Sequence, residues 1–475
     1  MNYFSYVIIF FSLLNILCAK SKRNILIYQT SLTLFVCSFV DVGYFIESDI
    51  INVDYYQAVI VIQFIMSLFI DNKKVKLSKS FLLYISSLII STLLLLVFPS
   101  KTANAMDLSN PRFENYMTGH FAFVRPFFSK YTVFFLILAL CLSFIINKLR
   151  CYFSIEEWGK VLCVIAKLGK FQMIIVFIEF FIKYIMRSNA YSSFIITFFG
   201  RGTSTYLTLE NRGIFVMMQG LTREGSHFAY AMMLLVIIFY TTGIIEKKNN
   251  SLWIALAIVA MVLSGALMML VCSVTLCGYY LIIAFSKELN KTKKRVAVVV
   301  MTVSLVLFAM VLIGHKLFTS DGYLASRLAD AVGIFMGVGN KNVAYYATLS
   351  HVTSNQSRLF SLVYAIREWI KRPLWGIGIG TTFAYSSTLL TLAETGIVTM
   401  LAIVNFYLDV IRKYGVDKKM AQLVIGLWLV CNAFSGIQSR LIVAADVMVI
   451  LGSCIAAFGS KGLLNQDPHA EVVRS

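Results

Sequence analysis

The residues of this chain best suited to chemistry are arginines and glycines in the segment 358–380, RLFSLVYAIREWIKRPLWGIGIG. Leu359, Leu362, Val363, Ile366, Trp369 and Ile370 recur at helical spacing and Pro373 stops the run, which predicts a helix with one apolar face. At about 100° per residue, Arg358 and Arg367 flank that face, so both guanidinium groups can edge a site while the stripe rests on membrane or protein. Gly376, Gly378 and Gly380 follow, with no side-chain bulk to keep backbone N–H groups from a ligand. Permanently charged planar forks beside bare amides form an anion-binding layout.

The elements that must hold these residues are membrane helices. Hydrophobic residues make up 59% of the chain and charged residues 14%, mean hydropathy is +0.79, and there are five prolines in 475 residues. That composition excludes a soluble core and implies an all-α, polytopic transmembrane bundle, a single integral membrane domain over residues 1–475. A window of about 20 residues predicts thirteen spans, near 3–19, 24–46, 56–70, 81–98, 131–147, 171–186, 228–245, 251–267, 268–286, 296–314, 388–408, 421–436 and 441–459. The adjoining pair 251–267 and 268–286 is separated by nothing polar, which leaves an expected total of about 12–14 spans. The first apolar run has no basic leader and is read as a permanent span.

Charge alternates along the connections. Lys20, Lys22 and Arg23 follow the first span, Lys73, Lys74, Lys76 and Lys79 the third, and Lys148 and Arg150 the fifth. Lys247 and Lys248, then Lys287 to Arg295, then Arg412, Lys413, Lys418 and Lys419, and finally Lys461 continue the pattern. Short inner loops keep positive charge, so the N-terminus is expected outside and the tail 460–475 inside. The formal charge of +19 is mostly this topological signal and does not point to nucleic acid. Three long loops, 99–130, 187–227 and 315–387, fall on the outer side. They hold Arg187, Arg201, Arg212 and Arg223 in one, and Arg327, Arg358, Arg367 and Arg372 in another. The loop 187–227 contains no lysine, and a set of arginines alone favours an anionic ligand. Arg187, at the end of a span, also suits a lipid headgroup.

Other features read as structural. Ser154 and Glu157 form an S-x-x-E cap, and Ile155, Trp158, Leu162, Ile165 and Leu168 line one face of a helix expected to lie on the inner leaflet. Glu179 and Lys183, at i and i+4, suit a local ion pair, and Asp446 suits a pair with Arg440. The outer loops hold no cysteine and need no disulfides. His120, His227, His315, His351 and His469 stand apart from one another, and no metal-ligating cluster or phosphate-binding P-loop is present.

Three segments together resemble a known family. NRGIFVMMQGLTREGSHFAYAMMLL (Asn211 to Leu235), the arginine and glycine segment 358–380, and LLTLAETGIVTML (Leu389 to Leu401) are similar to the O-antigen polymerase (Wzy) and O-antigen ligase superfamily. Its members carry a G-x-x-x-E-[PG]-S-like entry into a span, an outer-loop arginine followed by P-x-x-G-x-G-x-G, and then E-x-G. The resemblance assigns Arg212, Gly220, Glu224, Arg358, Gly376, Gly378, Gly380 and Glu394 to motif positions. Gly225 stands where proline is usual, and Arg212 lies farther from Gly220 than the pattern expects. The stretch from Thr381 to Ala393 lacks the histidine usual in ligases, which favours a polymerase.

The resemblance implies a glycosyltransferase for O-antigen, capsule or a related surface polysaccharide. A glycan on undecaprenyl pyrophosphate would pass to the non-reducing end of another lipid-linked repeat unit, at the periplasmic face of the bacterial inner membrane. With no metal cluster in the sequence, charge growing on the leaving diphosphate falls to Arg358 and Arg212, with Arg201, Arg223, Arg367, Arg372 and the three glycines binding substrate. Glu224 or Glu394 would take the proton of the attacking hydroxyl, although Glu394 can equally orient an arginine and Glu224 can pair with Arg223 or cap a helix; His351 is a further candidate base. No cofactor or metal is expected. Expected partners are the lipid-linked repeat units, membrane lipid, and a chain-length regulator and flippase of the same pathway. The alternatives are a ligase that transfers glycan to lipid A core, and a lipid-linked oligosaccharide flippase or other transporter.

Overall fold

The computed structural model describes residues 2–19, 21–47, 52–70, 75–98, 130–200, 211–212, 215–266, 268–285, 362, 365–366, 368–381, 384–435 and 440–459. These residues are mostly helical: α1 (Tyr3–Cys18), α2 (Lys22–Phe39), α3 (Tyr55–Leu68), α4 (Lys79–Val97), α5 (Lys130–Tyr152), α6 (Ile155–Phe180), α7 (Ala190–Phe199), α8 (Gly225–Ile245), α9 (Ser251–Leu263), α10 (Met268–Phe285), α11 (Ser387–Arg412), α12 (Lys418–Ala433) and α13 (Val447–Phe458). Two short antiparallel hairpins interrupt them, β1 (Tyr44–Ile46) with β2 (Val53–Asp54), and β3 (Asn211–Arg212) with β4 (Phe215–Val216). Every expected span except 296–314, which lies outside the described residues, overlaps a helix. The expected loop 99–130, apart from Lys130, and the tail 460–475 also lie outside the described residues.

Among the described residues, five helices are long and apolar enough to cross a membrane: Lys79–Val97, Thr132–Tyr152, Ile155–Ile185, Gly225–Ile245 and Ser387–Arg412. Their surfaces are reversed relative to a water-soluble bundle. On α4, Leu82, Leu83, Ile89, Ile90, Leu93 and Leu96 are exposed while Ser87, Ser91 and Thr92 are buried. On the second half of α6, Phe171, Ile174, Phe177 and Ile178 face out while Gln172 and Glu179 are buried. An apolar solvent around the bundle and hydrogen-bonding groups within it give this pattern. Helix α8 is apolar on all sides and is enclosed by α6, α9, α10 and α13, as an all-apolar helix must be.

Side chains at the starts of the helices supply the partners that their first amides lack. Ser21, Ser78 and Ser386 accept from the amides of Asn24, Phe81 and Leu389, and Asp417 accepts from Lys419 and Met420. Ser154 and Glu157 form the expected reciprocal box, with Ser154 Oγ accepting from the Glu157 amide and Glu157 Oε2 from the Ser154 amide. The helix that follows is not a separate inner-leaflet element. It runs from Ile155 to Phe180 without a break and passes into a π-helical turn, Phe181–Ile185. Its stripe, including the wholly buried Trp158, Leu162 and Ile165, packs against α2 and α13. Protein, not headgroup, covers that face.

The packing sorts the helix ends into two groups. Arg23 pairs with Glu157 at 3.3 Å, Arg150 with Asp409 at 3.1 Å, and Ser80 Oγ donates to Asp409 at 2.7 Å, so the lysine-rich connections share one end. Lys148, counted among those basic residues, is buried there: its Nζ donates to the carbonyls of Ser67 and Ile70 and so caps the end of α3. A groove of about 470 Å³ lined by Asn24, Glu156, Lys160, Lys167 and Glu246 opens at this end. At the other end, Asp41 and Asp54 meet Arg223 and His227, and the turn at 376–380 meets Glu394. The motif residues therefore stand at the end remote from the groove.

Candidate functional site

The first part of the site is the entrance to α8. The amide of Asp41 donates to the carbonyl of Leu221 at 2.9 Å, which joins the chain after α2 to the turn before α8. Arg223 closes the same junction. Its Nε donates to the carbonyl of Asp41 at 2.8 Å, its Nη2 reaches Asp54 Oδ1 at 2.5 Å, and its guanidinium lies over the Tyr44 ring. Within the first turn of α8, His227 Nδ1 is hydrogen-bonded to Asp41 Oδ2, and Ser226 Oγ donates to Glu224 Oε2 at 3.0 Å. Burial alone would push both aspartates up, but His227 and Arg223 beside Asp41 hold its carboxyl below the usual range. At Asp54, burial and the charge of Asp41 outweigh Arg223, and its carboxyl is raised. Gly225 opens α8 because a Cβ there would stand 2.5 Å from the carbonyl oxygen of Ser264, at the end of α9. That close approach accounts for glycine at this position.

The turn before α8 is supported from below. Glu179 Oε1 accepts from Lys183 Nζ at 2.7 Å and from the Gln219 amide at 3.0 Å, while Oε2 accepts from the Gly220 amide at 2.7 Å. Lys183 also donates to the carbonyl of Met217 at 3.1 Å. The expected i,i+4 pair is thus present, and it serves as a clamp on residues 217–220.

The second part is a broken helix. α11 is interrupted at Gly396, whose φ of 75° and ψ of 175° leave the helical region. A break frees carbonyls on its N-terminal side and amides on its C-terminal side, which a membrane cannot satisfy. The segment 373–378 fills this need. Amides of Ile377 and Gly378 donate to the carbonyls of Ala393 and Glu394, both at 2.9 Å; amides of Ile397 and Val398 donate to the carbonyls of Pro373 and Leu374 at 2.9 and 3.3 Å. The two backbones touch. A Cβ on Gly396 would lie 2.3 Å from the Leu374 carbonyl oxygen, and one on Gly376 2.4 Å from the carbonyl carbon of Glu394. Ser91 Oγ of α4, donating to the Trp375 carbonyl at 2.6 Å, anchors the turn from outside.

Glu394 sits at the break and is wholly buried. Arg440 binds it in bidentate fashion, Nε to Oε2 at 2.5 Å and Nη2 to Oε1 at 2.7 Å, and Oε1 also accepts from the Gly380 amide at 3.0 Å. The Arg440 guanidinium lies 4.0 Å from the centre of the Phe135 ring. The expected pairing of Arg440 with Asp446 is therefore incorrect, because the nearer and geometrically matched fork is Glu394. Asp446 instead accepts from Tyr230 Oη and, at 3.3 Å, from Trp428 Nε1, in a buried cluster that includes Asn432.

The residues expected to do chemistry divide as follows. Arg358, Arg367 and Arg201 lie outside the described residues, as do His120, His315, His351 and His469. Arg212 falls in β3, paired with Phe215 of β4. Arg223 is held by Asp41 and Asp54, and Arg372 Nη1 donates to the carbonyl of Phe98. Gly376, Gly378 and Gly380 come together with Glu394 as one unit, but their amides point into protein: Gly376 donates to the carbonyl of Arg372, Gly378 to that of Glu394, and Gly380 to the Glu394 carboxylate. The amides expected to approach a ligand complete the broken helix instead. Glu224 caps α8. Sequence reasoning did not identify the His227 and Asp41 pair or the Arg440 partner of Glu394. Asp41 fell inside the expected span 24–46, and no spacing linked it to His227. No known family model matches the chain, and no curated protein matches it in sequence.

Proposed function

We propose that this chain is a multi-pass protein of the bacterial inner membrane, with its lysine-rich end cytoplasmic. At its periplasmic end it polymerises a surface polysaccharide, such as an O-antigen or capsule, by moving glycan from undecaprenyl pyrophosphate onto another lipid-linked repeat unit. The observation that carries this reading is the interlock of the G-x-G-x-G turn with the E-x-G break. Two motifs noted separately in the sequence form one unit, with Gly376 against the backbone of Glu394, Gly396 against that of Leu374 and Trp375, and Glu394 bonded to Gly380. That unit and the entrance to α8, the third motif, stand at the same end of the bundle, away from the lysines. Irregular backbone within a membrane helix belongs where protein surrounds it or where it lines a cavity, and such breaks accompany ligand sites.

In this reading Arg358, Arg212, Arg367 and Arg201, from the outer connections, meet the negative charge that develops on the leaving diphosphate. Arg223 and Arg440 keep structural roles, because carboxylates already occupy them. The experiment is reconstitution of the purified protein with synthetic lipid-linked repeat units. Polymer formed without ATP or added metal supports the proposal. Transfer only to lipid A core would indicate a ligase, and passage between leaflets without new glycosidic bonds a transporter; either result would replace it.

A further inference from the structure

We propose that His227, oriented by Asp41, is the general base that takes the proton from the attacking sugar hydroxyl, a role that rests on the polymerase reading above. Three observations lead to it. The Nδ1 of His227 is bonded to Asp41 Oδ2, which sets the neutral ring as the tautomer with its proton on Nδ1 and a lone pair on Nε2. Among the described residues no hydrogen bond to Nε2 is formed, and the side chain as a whole is 20% exposed. Asp41 is itself fixed, by its amide on Leu221 and by Arg223 on its carbonyl, so the ring cannot swing freely. A base held by an orienting carboxylate, with its far nitrogen unoccupied, is the geometry that proton abstraction requires.

The other carboxylate considered for this role is already engaged. Both Glu394 oxygens accept from Arg440, one also accepts from the Gly380 amide, and the carboxylate is wholly buried, so Glu394 is engaged as the partner of a guanidinium. The groups around His227 are Asp41, Asp54, Arg223 and Glu224. Glu224 and Asp41 favour the imidazolium that forms, while Arg223 opposes it and is in turn offset by its two aspartates. In the step itself, the acceptor hydroxyl oxygen bonds to the anomeric carbon of the donor sugar, and the bond from that carbon to the diphosphate oxygen breaks. The electron pair leaves with the lipid diphosphate, the hydroxyl proton moves to His227 Nε2, and the imidazolium later releases it to water.

The test uses the full chain in a lipid bilayer with synthetic lipid-linked repeat units, and measures polymer formation against pH. Wild-type protein should show an acid limb above the ordinary histidine value of about 6.5, because against the opposing effect of burial the Asp41 and Glu224 carboxylates hold the ring's proton. His227→Ala should lower the rate by about 10² to 10⁴. Added imidazole should restore part of the lost activity, which a merely structural histidine would not allow. Asp41→Asn should move the acid limb downward as well as slow the reaction. His227→Gln separates folding from chemistry: a folded, inactive protein supports the assignment. Full activity in either His227 variant, or a wild-type profile that is flat across the histidine range, would overturn it and leave the polymerase reading in place. A wild-type protein that makes no polymer would overturn the polymerase reading itself.

Discussion

The most direct test of the site's architecture is Gly396→Ala. Gly396 has φ 75° and ψ 175°, a region open in practice only to glycine, and an alanine forced into it costs about 1–3 kcal/mol. Relaxation is blocked, because the added Cβ would sit 2.3 Å from the Leu374 carbonyl oxygen and 2.4 Å from the Trp375 amide nitrogen, which are backbone atoms of the inserted turn. The turn must move away. Four backbone hydrogen bonds join it to α11, from Ile377, Gly378, Ile397 and Val398, and each contributes about 0.5–1.5 kcal/mol. Losing half of that set together with the strain gives a total of about 2–6 kcal/mol. The comparison is Gly426→Ala on α12, where nothing lies within 4 Å of the new Cβ and relief of helix-glycine entropy should stabilise by about 0.5–1 kcal/mol. Thermal unfolding in detergent should rank Gly396→Ala well below wild type and Gly426→Ala at or above it. Amide exchange at 377, 378, 397 and 398 should accelerate only in the first. If both variants unfold at the wild-type temperature, the interlock does not hold α11 as described.

Glu394→Gln should destabilise by about 3–5 kcal/mol, because Arg440 stays buried without its carboxylate; adding Arg440→Met should recover part of that loss in the same unfolding assay. Lys148→Met should cost about 1–3 kcal/mol by removing the Nζ donor from the Ile70 carbonyl and leaving the Ser67 carbonyl with the Ile70 amide, and exchange should rise at the end of α3. The junction of Asp41 with Arg223 and His227 should loosen in acid. Asp41 has a folded value below its unfolded one, so its contribution is complete above the ordinary carboxylate value of about 3.9 and is lost as pH falls through the lower folded value. Proteolysis within the hairpin 44–54 should therefore rise below about pH 4 in wild type, and Asp41→Asn should be susceptible at neutral pH.

What the sequence disclosed was local. Apolar windows located the helices because each span carries its signal within about 20 residues. Ser154 with Glu157 and Glu179 with Lys183 were legible because their members are three and four positions apart, neighbours on a helix wherever the rest of the chain goes. Helix α7 was missed, since ten residues are too few for a membrane window. The inner-leaflet helix was misread because its apolar stripe is the same whether lipid or α2 and α13 cover it. Long-range partners left no periodic trace. His227 finds Asp41 across 186 positions and Arg440 finds Glu394 across 46, and only the fold chooses between Glu394 and Asp446 for that arginine. The glycine motif was visible as a place of close approach, but what approaches is the broken helix.

The Glu394–Arg440 pair helps explain why the polar groups gather where they do. Burying both charges is costly, and a well-packed apolar pair in their place would often be as stable or more so. Its effect is therefore better sought in position than in stability. Glu394 joins three segments: it belongs to the helix at the break, receives the amide of the glycine turn, and holds an arginine that precedes α13. An apolar residue could fill the volume but could not fix the direction of the Gly380 amide or the Arg440 fork. The clamp of Glu179 on the amides of 219 and 220 has the same logic at the entrance to α8, and there it sets the turn that brings Arg223 and His227 to Asp41. In both places a buried carboxylate orients backbone amides at a helix end or break. In the polymerase reading proposed above, such fixed points would keep a base and a set of cations within reach of one substrate beside lipid.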